Sequence, residues 1–383
     1  MHNKKLIQRK TKILATLGPS SNTIKKITEL SRAGANAFRL NCSHLNETTL
    51  VEYIRKIRHV EKVLKKPIGV LVDLQGPKIR ISSMDEGNNL LKKDNIFILD
   101  SSKVIGNNKR VCLPHKKIFS SLKKGHLILL DDGKIHLKTI SIKANQIKTK
   151  IIQGGYLKSN KGVNLPQTDL KTSALSSIDK KFAQIAVQEG VDWIALSFVQ
   201  KPSDIKDLKK ICLNKASIMA KIEKPSALTY IEDIADLADG IMIARGDLGV
   251  ELPLESVPGW QKKIIRVARI KGKPVVVSTQ MLESMTDSLT PTRAEVSDVA
   301  NAVFEGADAI MLSAESASGH YPSEAVKMMN KIALNIEQDS NYNDILSSQL
   351  EQTPDTTPDA IATAAKTLAD ELSSPIIVCY TES

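Results

Sequence analysis

The chain has 383 residues, and 54 Lys and Arg against 42 Asp and Glu give it a formal net charge of +12. At about 100–200 residues per domain, two or three domains are predicted. With 42% hydrophobic and 25% charged residues the composition excludes a disordered, collagenous or coiled-coil chain. No stretch reaches the ~20 consecutive apolar residues of a membrane span, and the basic start, Met1 to Lys12, lacks the apolar core of a secretory leader. Cys42, Cys112, Cys212 and Cys379 stand far apart without CxxC or CxxH spacing, which argues against a disulfide framework or a zinc site. A cytoplasmic protein is expected.

In chain order, short apolar runs alternate with amphipathic stretches. The runs are Lys12–Thr16, Ala37–Asn41, Ile68–Asp73, Trp193–Ser197, Ser217–Lys221, Gly240–Ala244, Pro274–Ser278 and Ala309–Leu312. Most are uninterrupted, as strands buried on both faces require. Helix signals lie between them: Ser21-Asn22 before Thr23–Ala33, Pro225-Ser226 before Ala227–Ala238, and Pro291 opening Thr292–Glu305. Gly34, Gly190, Gly240, Gly272 and Gly306 follow helical stretches where a left-handed cap is expected. This rhythm predicts an α/β fold, a (β/α)8 barrel, with a doubly wound open sheet as the lesser option.

Between Gly76 and Leu165 the rhythm changes. This segment carries 16 Lys and 2 Arg against 5 Asp and 1 Glu, the whole positive excess of the chain. A lysine-rich solvated surface and a surface that meets polyanions account for it equally well. Its short alternating runs, Asn95–Leu99, Leu127–Leu130 and Lys134–Ile140, predict a small β domain. The expected organisation is a barrel over residues 1–75 and 166–340, an inserted β lid over 76–165, and an incomplete α/β domain over 341–383. An insertion after the third strand emerges at the carboxyl ends of the barrel strands, where it can close over a site.

Polar residues gather at those ends: Arg39 to His44, Asp73 to Gln75, Ser197-Phe198, Lys221 to Lys224, Arg245 to Asp247, Thr279-Gln280 and Ser313 to Glu315. Each is ordinary in a βα loop, and their convergence on one rim is the signal. Glu223 and Asp247 are a hard, oxygen-only pair suited to Mg2+ or Mn2+; the structural alternative is ion pairing with Arg and Lys. Lys221, two residues before Glu223 in an extended segment, points the same way. A cation beside a metal carboxylate is an arrangement for phosphoryl transfer, in which positioning and cations dominate catalysis. A Schiff-base role for Lys221 ranks lower, because the neighbouring carboxylate favours its charged form. With no GxxxxGK[ST] and no GxGxxG, nucleotide phosphates fall to side chains, with Arg39, Arg80, His44 and Lys161 the candidates.

Several stretches resemble the pyruvate kinases. They are Thr11 to Pro19 (TKILATLGP), Arg39 to His44 (RLNCSH), Asp73 to Arg80 (DLQGPKIR), Asp131 to Gly133, Lys161 to Pro166 (KGVNLP), Lys221-Ile-Glu223, Ala244 to Glu251 (ARGDLGVE), Thr279 to Met285 (TQMLESM) and Pro291 to Asn301 (PTRAEVSDVAN). They run in family order to about residue 325. The resemblance implies transfer of phosphate from phosphoenolpyruvate to ADP, giving pyruvate and ATP. It implies Glu223 and Asp247 on Mg2+, Lys221 and Arg39 on the phosphoryl group, and Gly246, Asp247 and Thr279 on the pyruvate part. It also implies Arg80 and Lys161 on the nucleotide, with Thr279 or nearby water protonating the enolate. No nucleic-acid or membrane partner is expected.

Departures from the family pattern carry their own expectations. The resemblance implies that many members use K+, held near Asn41, Ser43, Asp73 and the position of Leu74, with a glutamate where this chain has Lys78. An ammonium at Lys78 supplies positive charge that a carboxylate would draw from a cation, so K+ is expected to be dispensable. Leu74, Gln75 and Ile81 fit the same type. Cys42, Ala314 and Ser316 differ from the family pattern conservatively.

At the end, a helix over Thr357–Leu372 and a strand over Ile376–Tyr380 are predicted, and Thr381 and Ser383 resemble the start of a loop that grips an effector phosphate. The resemblance implies a larger final domain, so the chain is expected to be truncated, without sugar-phosphate regulation, and the family's homotetramer is put in question. Two other readings stand beside the active enzyme. One is an inactive, truncated scaffold; the other is a metal-dependent barrel lyase acting on pyruvate or its enol, which leaves the basic insertion unexplained.

Overall fold

A computed structural model describes residues 9–87, 89–166, 168, 173–350, 356–372, 374 and 376–380. Met1–Glu337 form one compact unit and Gln338–Ser383 a second. Among the described residues no helix is long and apolar enough to cross a membrane.

In the first unit eight parallel strands close into a barrel. They are β1 (Lys12–Thr16), β2 (Ala37–Asn41), β3 (Gly69–Asp73), β4 (Trp193–Leu196), β5 (Ser217–Ile222), β6 (Gly240–Ala244), β7 (Val275–Ser278) and β8 (Ala309–Leu312). Each strand pairs with its neighbours in sequence order, and β8 pairs with β1 from Lys12↔Ala309 to Ala15↔Leu312, which closes the ring. Leu14, Leu71, Ala195, Met219, Met242, Val276 and Met311 fill the interior. The adjacent positions on each strand, such as Phe38 and Leu40, are buried as well, and this explains the uninterrupted apolar runs.

The helices between strands start at capping residues. Thr23 caps Ile24–Ala33, Ser176 forms a capping box with Asp179, and Thr292 forms one with Glu295. Gly34, Gly190, Gly272 and Gly306 have positive φ after helices, as expected. Gly240 does not. It lies within β6, fully buried, where a Cβ would come within 3.1 Å of Trp193 Cζ3 and 3.2 Å of Pro274 O, so close packing excludes a side chain there. The stretch predicted as one helix over Ala227–Ala238 is two, Pro225–Thr229 and Ile231–Leu237, separated at Tyr230.

A repeated clasp ties the amino-terminal ends of the barrel strands. The residue immediately before each even-numbered strand reaches back to the odd-numbered strand preceding it. Asn36 Oδ1 accepts from Ile13 N at 3.0 Å, Asp192 Oδ2 from Val70 N at 2.7 Å, Asp239 Oδ2 from Ile218 N at 2.8 Å, and Asp308 Oδ2 from Val275 N at 2.9 Å. In all four cases the clasp residue's own N–H donates to the carbonyl of the same partner. Each of these four strand starts is thus held by two bonds to one residue, which satisfies backbone groups that would otherwise need water.

Between β3 and β4 lies the insertion. Six of its strands, in the order Val163–Asn164, Leu127–Leu130, Ile135–Lys143, Gln146–Gln153, Ile96–Asp100 and Arg110–Cys112, form a sheet curled over its own core, which includes Phe97, Leu99, Ile128, Leu137, Ile147 and Ile151. The chain leaves the barrel at Gly76, whose φ is +69° and whose missing Cβ would lie 2.7 Å from Phe198 Cδ2. Only glycine fits that backbone and that contact.

In the second unit the helices Ser340–Leu350 and Thr357–Glu371 form. The strand expected at Ile376–Tyr380 does not: among the described residues no strand pairs with it, and its side chains lie exposed, Ile376 at 73% and Tyr380 at 96%. A strand without a ladder partner has no backbone bonds to hold it. Thr381 and Ser383, expected at a phosphate-gripping loop, lie outside the described residues, as do Glu351–Asp355.

Candidate active site

The carboxyl end of the barrel carries a buried ion network. Lys221, near the end of β5, places Nζ 2.8 Å from Glu223 Oε1, 3.0 Å from Asp73 Oδ1 at the end of β3, and 2.7 Å from Ser197 Oγ after β4. Arg39 on β2 donates from Nε to Asp73 Oδ2 at 2.7 Å and from Nη1 to Thr16 Oγ1 at 3.2 Å. The alternation of β2 explains this placement: Phe38 and Leu40 point into the helix layer, so Arg39 points into the barrel mouth.

Charge and burial oppose each other here. Burial alone would raise Asp73, but the Lys221 ammonium and the Arg39 guanidinium outweigh it and hold its carboxyl below the ordinary range. Burial alone would lower Lys221, but Asp73 and Glu223 outweigh it and keep the ammonium charged. Glu223 goes the other way: burial, with the like charge of Asp247, raises it above the ordinary range despite Lys221. Its second oxygen accepts from Phe198 N at 2.8 Å, and Phe198 has φ +56°.

Beside this network, Gly246 N donates to Thr279 Oγ1 at 2.7 Å, and Thr279 Oγ1 donates to Ser278 O at 2.6 Å. Thr279 and Gln280 both adopt positive φ, at 69° and 54°. Arg245 secures that turn through Nη2 to Thr279 O at 2.7 Å and is fixed in turn by Asp298 at 2.7 Å. Strained backbone in non-glycine residues is held in place by such surrounding bonds, and it concentrates at working sites.

A scan of protein families matches residues 8–326 to the barrel domain of pyruvate kinase. The chain is 50% identical to a pyruvate kinase of Methylorubrum extorquens over 98% of its own length and 78% of the relative's. It is 46% identical to one of Agrobacterium vitis (98% and 79%) and 38% identical to one of Thermotoga maritima (98% and 80%). The chain belongs to the pyruvate kinase family. The closed eight-stranded barrel with its curled inserted sheet is in accord with that membership.

Within this family member, the residues singled out in the sequence divide into three groups. Arg39, Asp73, Lys221 and Glu223 meet in one network, and Gly246 meets Thr279. Asp247 joins them in the first turn of Arg245–Glu251 and also lines a cleft of about 30 Å³ with Lys78, Asp132, Gly162, Phe198 and Lys224. Arg80 and Lys161 have partners within the insertion: Arg80 Nη1 donates to Asn160 O at 2.8 Å, and Lys161 Nζ stands 2.7 Å from Asp131 Oδ1. Asn41 Oδ1 accepts from Ser43 N at 3.2 Å, starting the turn Cys42–His44, and His44 is exposed at its end. Leu74 is buried.

Sequence reasoning does not single out Ser197, Thr16 or Arg245 as functional residues, although it places Ser197 and Arg245 on the rim. Their roles depend on neighbours from other strands, which spacing along one strand does not reveal. Glu315, also on the rim, is buried and accepts from Ser313 N at 2.7 Å and Leu282 N at 3.2 Å, so it braces two loops.

Proposed function

We propose that this chain transfers the phosphoryl group of phosphoenolpyruvate to ADP with the help of Mg2+ or Mn2+, giving ATP and, after protonation of the enolate at carbon 3, pyruvate. The observation that carries the reading is the Lys221 ammonium, held charged at the barrel mouth between Asp73 and Glu223 with Arg39 alongside. A charged amine is not a Schiff-base nucleophile, and two cations on one rim fit a group whose charge spreads over its peripheral oxygens during transfer.

Glu223 and Asp247 would hold the divalent cation. Their fit rests on chemistry: an all-oxygen pair, in which burial and then the like charge of Asp247 raise Glu223, is relieved by a hard cation between them. When bound, the ion neutralises phosphate charge and orients the oxygens.

The chain's own residues do the rest. Arg39 and Lys221 bind the phosphate, and the Gly246 amide and Thr279 hydroxyl form the floor for the carboxylate end. The Thr279 hydroxyl now donates to Ser278 O, so it must turn from that carbonyl before it can pass a proton toward the enolate. Arg80, Lys161 and His44 would receive the nucleotide, Arg80 and Lys161 by exchanging Asn160 O and Asp131 for phosphate.

K+ is dispensable in this reading. Asp73, the carboxylate expected near K+, is already neutralised by Arg39 and Lys221, and buried Leu74 offers no side-chain oxygen. Lys78 lines the cleft and supplies the remaining positive charge. The test is ATP formation from phosphoenolpyruvate and ADP with Mg2+, with and without K+. Turnover equal in both supports the reading; no turnover in a folded protein rejects it.

A further inference from the structure

The chain crosses between barrel and insertion twice, and both crossings lead to the loops that carry Glu223 and Asp247. At the outgoing crossing, Gly76 packs on the Phe198 ring, and the Phe198 N–H holds Glu223 Oε2. At the return crossing, Asn164 Nδ2 donates to Glu251 Oε1 at 2.9 Å. The same oxygen receives Lys224 Nζ at 2.5 Å, and Lys224 Nζ also stands 5.8 Å from the centre of the Phe198 ring. Lys224 follows Glu223 directly, and Glu251 ends the helix that begins with Arg245, Gly246 and Asp247.

Glu251 is a costly residue to bury. It is 5% exposed, and its second oxygen is buried without a hydrogen-bond partner among the described residues. A buried carboxylate with one oxygen unmatched persists only if the bonds at the other are strong, and both of those come from charged or amide donors on different elements.

We infer that Asn164, Glu251 and Lys224 form a latch that holds the inserted sheet over the cleft and transmits its position to the loops of Glu223 and Asp247. They are positioning residues. The inference rests on the proposed function, with the narrow cleft between Lys78, Asp132 and Gly162 of the insertion and Phe198, Lys224 and Asp247 of the barrel as the place that receives the nucleotide and that the sheet opens and closes. Each opening breaks the Asn164 to Glu251 bond; each closing restores it and aligns the two carboxylate loops through Lys224.

The test uses the full chain with Asn164→Ala, Asn164→Asp, Glu251→Gln and the double variant Asn164→Asp/Glu251→Gln. Amide hydrogen exchange is followed at residues 76–80 and 161–165 without ligand, and kcat is separated from KM for ADP. Asn164→Asp sets a carboxylate against Glu251; exchange at both crossings and KM for ADP are expected to rise about tenfold, the size expected for loss of a hydrogen bond to a charged group. The double variant reverses the polarity of the bond, with the introduced amide donating to the introduced carboxylate, and should restore both to within about twofold.

Unchanged exchange in both Asn164 variants overturns the latch, as does a double variant no better than Asn164→Asp alone. If Asn164→Asp fails to fold, the neutral Asn164→Ala carries the exchange comparison. A parent chain without turnover would reject the proposed reaction, while the exchange data would still decide the latch.

Discussion

Lys221 Nζ sits 2.8 Å from Glu223 Oε1, a contact between side chains two residues apart that point to the same side of one strand end. That spacing places a cation and a carboxylate beside the same substrate atoms without any loop being folded around them. Removing the cation leaves Asp73 and Glu223 buried at 1% exposure with Arg39 as the remaining cation in the network.

Lys221→Met is therefore expected to cost about 3–5 kcal/mol of stability, the scale of breaking a buried ion pair, and to abolish turnover. Chemical denaturation and the coupled ATP assay read the two effects separately. A variant as stable as the parent would mean that Asp73 and Glu223 take up protons readily.

Asp73 gives a pH signature. Its carboxyl is held below its unfolded value, so its contribution is present above the ordinary carboxylate pKa of about 3.9 and is lost as pH falls through the depressed folded value. Asp73→Asn should be less stable than the parent at pH 6, with the gap closing as pH drops below about 4. Urea melts across pH 3–7 measure it, and a gap that widened in acid would contradict the ion network.

The strand clasps predict a contrast between two substitutions at one site. Asp239→Ala removes the side-chain acceptor for Ile218 N and is expected to cost about 1–2 kcal/mol. Asp239→Asn keeps an acceptor in place and should cost much less, since Asn36 fills the equivalent place at the start of β2. Equal losses in thermal melts would show that charge, not the bond, matters.

Lys78→Glu restores the carboxylate expected in K+-using members. Turnover without K+ should fall at least about tenfold, roughly 1.4 kcal/mol of transition-state stabilisation, and K+ should recover much of it. An assay with tetramethylammonium as the control cation checks this; indifference to K+ in the variant would remove Lys78 from the explanation.

The barrel was legible because strands buried on both faces leave uninterrupted apolar runs, and Ala37–Asn41, Gly240–Ala244 and Ala309–Leu312 form with the expected bounds. Lys221 and Glu223 were legible because their relation is local. The clasps were not, since an Asp or Asn before a strand is common and its partner lies on a different strand. Asn164 and Glu251 are 87 positions apart and meet only once the insertion folds back. The strand at Ile376–Tyr380 failed for a related reason: its pattern was suitable, but a strand exists only with a partner.

The clasps also differ in how much chain each must bring together. Three of them join residues 21 to 33 positions apart, so each of those strand pairs closes a short loop. The Asp192 clasp joins β3 to β4 across the entire insertion, whose ends must first be brought together by the curled sheet. Loop closure grows costlier with chain length, and long-range pairing is slow. Of the four clasped seams, β3–β4 thus carries the largest closure cost, and the insertion's own collapse lowers that cost by bringing its ends together.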